Sequence, residues 1–206
     1  MTRIWPIFSV LLPLSCLVAS PLAAEDSRQE KLTRGNTAFA LEMYRNLAAQ
    51  EGNLFFSPYS VSAALAMTQA GARGATERQM AEILHFEPGQ AELHHTFGDV
   101  NRQLTATARD SGQKLNIANA LVLTGGGIVK DYKDLLKKTY DAEVFRGNLA
   151  AINAWVLDKS EGRIEKILEE LSRDSVCTIL NAVYFKGSWQ NRFPKEDTVD
   201  APFQVS

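Results

Sequence analysis

LNAVYFKGSWQNRF, residues 180–193, joins an apolar run to a polar interruption and an isolated tryptophan. With the residues before it, VCTILNAVYF (176–185) is apolar on both faces of an extended chain. That pattern predicts a strand in the middle of a covered sheet. Asn181 shares a face with Cys177, Ile179, Val183 and Phe185, because side chains alternate along a strand. LNIANALVL (115–123) repeats the arrangement: Asn119 lies on one face with Leu115, Ile117, Leu121 and Leu123. Its other face, Asn116, Ala118, Ala120 and Val122, is small, as expected where a helix packs closely. A buried amide left without partners is costly, so both asparagines must be paired. The residues alone leave two accounts open: a static, satisfied core network, or one whose partners change when strands move apart.

Around these strands the periodicity predicts helices. Residues 32–49 carry Phe39, Met43 and Leu47 on one face, and Glu51-Gly52-Asn53 breaks them. LFF (54–56) predicts a very short strand. Ser57 is placed to N-cap a second helix with Pro58 at its first position, where a missing N–H costs nothing. Gly71 and Gly74 end that helix, and Thr76 opens a third with Met80, Ile83 and Leu84 as its buried set. Residues 89–109 form a polar helix with a thin stripe of Leu93, Phe97, Val100 and Leu104, suited to lying over a sheet. After Gly125-Gly126-Gly127 come a helix at 129–140, a short strand AEVF, and a helix at 149–160 capped by Gly162. No repeat or linker interrupts the pattern. The fold class is a single helix-rich α+β unit.

The chain has 206 residues, 45% hydrophobic and 22% charged, enough to bury a core. A net charge of −2 offers no global basic field for nucleic acid or an anionic membrane. Residues 1–24 differ from the rest: Arg3, then IWPIFSVLLPLSCLVA broken by Pro6 and Pro13, then small residues ahead of Glu25-Asp26. This predicts a secretory signal peptide cut near Ala24, with residues 25–206 as the domain and a secreted product, extracellular or periplasmic. Lipid attachment at Cys16 is the alternative, for which Pro13 fits poorly. With the signal removed, no membrane segment is expected. Cys177 would then be the single cysteine, predicted to be a small buried hydrophobe.

No GxSxG, HExxH or paired CxxC is present, and the glycine triplet lacks the GK[ST] ending of a phosphate loop. Of the three histidines, His94 and His95 are adjacent and diverge around a helix, so both are expected to be solvated rather than to share a metal. No catalytic set, metal or cofactor is expected, and the chain does not read as an enzyme. Helix 89–109 offers only Arg102 and Arg109 against Glu92, Asp99 and Asp110, too little for strong glycosaminoglycan binding.

Three motifs in order resemble the serpin superfamily. Asn53, Ser57, Pro58 and Ser60 match N-x-x-x-S-P-x-S, and Gly71, Ala72, Gly74 and Thr76 match G-A-x-G-x-T. Asn153, Trp155, Val156, Gly162, Arg163 and Ile164 match N-x-W-V and the later G-[KR]-I, ahead of LNAVYFKGSW. The resemblance implies N-terminal helices packed on a large central β-sheet that opens to take up a cleaved reactive-centre loop. It would place Ser57, Ser60 and Asn181 in the shutter, where strands part, and Trp189 at the breach, where the loop enters. Asn181 and Trp189 lie an even number of residues apart, so an unbroken strand would turn both to one face. Burying Trp189 would contribute roughly 4–6 kcal/mol as an upper figure. Asn181 hydrogen bonds would contribute only about 1 kcal/mol each.

The resemblance stops before the hinge and scissile bond, so no reactive site is found here. The expectation is an N-terminal half, incomplete at the C-terminus, with apolar faces exposed, prone to self-association and inactive alone. In complete form it would inhibit a target protease, serine-type or cysteine-type. The alternative is a non-inhibitory serpin-like binding or chaperone module.

Overall fold

A computed structural model of the chain describes residues 21–87 and 89–202, with side chains from residue 27 onward. The expected signal peptide lies almost wholly outside these residues. Six helices and three strands alternate in the order α1 (Pro21–Leu47), α2 (Pro58–Gly71), α3 (Gly74–Ile83), α4 (Gln90–Asp110), β1 (Lys114–Leu123), α5 (Lys130–Tyr140), β2 (Glu143–Arg146), α6 (Leu149–Lys159) and β3 (Cys177–Lys186).

The strands form one sheet in the order β2-β1-β3. β1 runs parallel to β2 and antiparallel to β3, with Asn119 directly opposite Asn181. The two faces of β1 behave as their side chains dictate. Leu121 joins Leu32, Phe39, Met67, Leu93 and Phe97 under the first helices. The small face, Ala120 and Val122, packs against Ile152, Trp155 and Val156 of α6, together with Leu180 and Ala182. Local chemistry sets the helix ends: Ser57 Oγ accepts from the Ser60 N–H at the start of α2, and Asn148 Oδ1 accepts from the Ala151 N–H at the start of α6. Past α6, Gly162 takes a left-handed φ of +74° and its N–H returns to the Leu157 carbonyl.

Several expectations change. β1, not β3, is the central strand; β3 lies at an edge among the described residues, which exposes Phe185 and the Cys177 thiol. LFF forms no strand, because nothing pairs with it, and Phe55 is fully open to solvent. The third helix begins at Gly74, and of its expected buried set Ile83 points outward. Leu104 is likewise partly exposed, so the α4 stripe is buried only over its first half.

Candidate functional site

The polar residues inside apolar elements converge on one line that crosses the molecule. Asn181 Nδ2 donates to Asn119 Oδ1 at 2.8 Å, joining β3 to β1. Asn119 Nδ2 donates in turn to the Tyr140 carbonyl at 2.9 Å. That carbonyl belongs to the last residue of α5, where no later helical N–H reaches it, so the asparagine serves as its cap. The Tyr140 hydroxyl lies 2.7 Å from His94 Nδ1 on α4. Asn119, Tyr140 and His94 are each only 2% exposed, so the bonds among these three are shielded from solvent, whereas Asn181 is half-buried. Two polar atoms of the line remain buried without a partner among the described residues: Asn181 Oδ1 and His94 Nε2.

Burial governs the ionisation of this region. It pushes the Tyr140 phenol well above its ordinary range, and holds the His94 imidazole down to about 4, with the Arg73 charge adding to the effect. Tyr132 is pushed up to about 12, mainly by burial, and its hydroxyl donates to the Met67 carbonyl. All of these groups are neutral near pH 7. The arrangement binds elements together through neutral hydrogen bonds and presents no activated nucleophile.

The expected site residues are only partly brought together. Asn181 stands on the seam. Ser57 and Ser60 bond to each other at 3.0 Å and cap α2, and neither bonds to Asn119 or Asn181. Trp189 departs most from expectation. β3 ends at Lys186, so the alternation linking Asn181 to Trp189 is lost. Trp189 is 72% exposed and packs edge to face with Phe193, ring centroids 5.5 Å apart. It does not anchor the sheet here.

His94 was expected to be solvated and is buried; His95, one residue on, faces out and pairs with Asp99. Sequence held a signal for this. Gly98, one turn beyond His94, packs so closely that a Cβ would meet the Thr139 carbonyl at 2.6 Å, which marks the crossing of α4 and α5. Arg102 and Arg109 also share a cleft with Lys137 and Lys138 of α5, a grouping invisible from α4 alone.

The sequence model of the family described as Serpin (serine protease inhibitor) matches residues 34–206. Leukocyte elastase inhibitor A of Mus musculus is 35% identical over 190 residues, covering 86% of this chain and 49% of its own. Iripin-1 of Ixodes ricinus is 35% identical over 207 residues, covering 94% and 52%. Among solved structures, cleaved kallistatin complexed with heparin superposes with a TM-score of 0.79 at 27% identity, over 85% of this chain and 55% of that one. Cleaved serpin 42Da gives 0.76 at 25% identity, over 85% and 49%. The chain spans about half the length of the curated relatives it matches.

Proposed function

The chain belongs to the serpin family, and from that premise we propose that it supplies the amino-terminal part of an endopeptidase inhibitor acting by loop insertion. Serine-type proteases are the first target class, since several relatives are named elastase inhibitors. Cysteine-type proteases are the second. One observation carries the reading. The outer edge of β3 has no strand beside it among the described residues, so the backbone groups on that side are open to pairing. An extended segment laid along that edge would pair with its free N–H and C=O groups. In this reading the protease serine attacks a loop carbonyl and forms an ester while the new amine leaves. The freed loop then adds to the sheet before water can hydrolyse the ester.

The loop belongs to the half that the relatives have and these residues do not match. Asn181 and Asn119 act as the seam that must yield, with Ser57 and Ser60 capping the helix packed behind it. The apolar segment at residues 1–24 supports export, with a product beginning at Glu25.

The test is incubation with leukocyte elastase, comparing this chain with the same chain continued by a relative's carboxy-terminal half. An SDS-stable one-to-one complex is expected for the longer protein only. A stable complex formed by the 206 residues alone would overturn the assignment of the loop. Cleavage of the longer protein without any complex would favour a non-inhibitory binding or chaperone module. For export, mass spectrometry of medium from cells expressing the native sequence should find Glu25 first; retention of Met1 on a cell-bound product would exclude it.

A further inference from the structure

We propose that His94, Tyr140, Asn119 and Asn181 form an acid-sensitive latch, in which protonating one buried imidazole loosens the hold of α4 and α5 on the β1–β3 seam. The inference does not depend on protease inhibition.

The geometry makes the link continuous. One residue from each of α4, α5, β1 and β3 takes part, through contacts of 2.7, 2.9 and 2.8 Å. Tyr140 is the joint, because its phenol meets His94 while its own carbonyl accepts from Asn119. The chain turns sharply just after it, with Asp141 at a left-handed φ of 51°. The bond to α4 and the bond to β1 thus meet on one residue, at the end of α5.

The neutral imidazole fits this pocket with a single hydrogen bond. The imidazolium does not fit. Both its nitrogens are donors, so Nδ1–H would claim the Tyr140 oxygen and the phenol proton would have to turn elsewhere. Nε2–H would carry charge at an atom that is buried and unpartnered.

Among the described residues no carboxylate pairs with His94. The α2 helix brings only Tyr59, whose hydroxyl donates to Asn101, and β1 brings the uncharged Asn119. α5 brings Tyr132 and Tyr140, while its Asp131, Lys137 and Lys138 lie at the surface and its Asp134 pairs with Lys130. Glu92 pairs with Arg28 of α1, and Asp99 with His95 and Arg102. In the turn before α4, Glu87 pairs with Arg34 and His85 with Glu42. The charge felt most is that of Arg73, and its sign opposes protonation.

Burial first, and Arg73 second, lower the His94 pKa from 6.5 to about 4. A lowered pKa means that the folded state disfavours the proton. The stability this contributes is complete above pH 6.5 and is lost as the pH falls toward 4. The gap limits the effect to about 300-fold in the opening equilibrium.

The test is hydrogen exchange at the β1 and β3 amides flanking Asn119 and Asn181, at pH 7 and pH 4, corrected for intrinsic exchange. The 206-residue chain is compared with His94→Asn, which keeps a polar atom toward Tyr140 but does not titrate. Opening in the unmodified chain should rise about 100-fold more than in the variant, since carboxylate effects are common to both. An equal acid response, or one confined to α4, would overturn the latch. Should the variant not fold, an NMR titration of the unmodified chain decides, with His94 assigned through His85→Gln and His95→Gln. A midpoint near 4 that coincides with seam opening supports the latch; a midpoint near 6.5, or seam amides indifferent to the midpoint, refutes it.

Discussion

Replacing Asn119 by alanine should destabilise the chain far more than replacing Asn181, although the two are partners in one hydrogen bond. Asn119 is 2% exposed and uses both ends of its amide, donating to the Tyr140 carbonyl and accepting from Asn181. Its removal leaves two groups without partners. A buried polar group so abandoned costs about 1–3 kcal/mol. The half-buried Asn181 amide recovers some water, which puts the total at roughly 2–4 kcal/mol. Asn181→Ala creates one orphan, Asn119 Oδ1, but removes another, since Asn181 Oδ1 is already buried without a donor. These offset, and the net loss should stay at or below about 1 kcal/mol.

Urea unfolding at pH 7, followed by far-ultraviolet circular dichroism, measures the difference if the slopes agree. For a chain of this size each 1 kcal/mol moves Tm by about 2–4 °C, so Asn119→Ala should lower it by roughly 4–16 °C. Equal losses, or a larger loss for Asn181→Ala, would refute the reasoning, because the Asn181 oxygen would then have a donor in the native chain. The same logic predicts a change of rank in a longer protein. Where the remainder of a longer protein supplies that donor, Asn181→Ala also leaves two groups unpaired, and the two losses should converge.

Gly98→Ala tests the crossing of α4 and α5. Helix propensity alone would favour alanine by about 1 kcal/mol, but its Cβ would stand 2.6 Å from the Thr139 carbonyl, a backbone atom that cannot turn aside. A net loss of about 1–3 kcal/mol is expected in the same urea assay, and a gain would show that the crossing is looser than described. Ser57→Ala removes the side-chain acceptor at the start of α2 and should cost about 0.5–1 kcal/mol, with Ser57→Asp restoring most of it; a loss of several kcal/mol would mean that Ser57 reaches the seam. The exposed Cys177 should react with a thiol reagent in the native chain within tenfold of its rate in urea, read by peptide mass, and strong native protection would mean that the β3 edge is covered.

What could be read from sequence is what depends on neighbours along the chain. The cap at Ser57, the proline after it and the two unlike faces of β1 follow from local hydrogen bonding and from strand alternation, and each is present. What could not be read depends on partners. Cys177 and Phe185 look like core residues because they are apolar, yet their burial requires a strand on the far side of β3, which the described residues do not provide. The resemblance puts Trp189 at the breach, and the alternation that would turn it to the face of Asn181 holds only while the backbone stays extended. Gly187 follows β3 directly, and residues 187–202 form no further strand. For His94 and His95, adjacency argues rightly against a shared metal, but it says nothing about which of the two faces the core.

The same distinction relocates the centre of the seam. Asn181 draws attention in the sequence because it interrupts the longest apolar run, whereas Asn119 sits in a strand of mixed character. Polarity in an apolar run shows only that a residue needs partners. How much it holds together depends on how many it has, and that depends on its strand's place in the sheet. β1 has strands on both sides and helices on both faces, so Asn119 can reach α5 in one direction and β3 in the other. Among the described residues β3 has one neighbour, and the amide on it is half satisfied. Through its Nδ2 the Asn181 amide is tied by way of Asn119 and Tyr140 to a histidine on α4, so the β1–β3 seam and the packing of a distant helix share one line of hydrogen bonds.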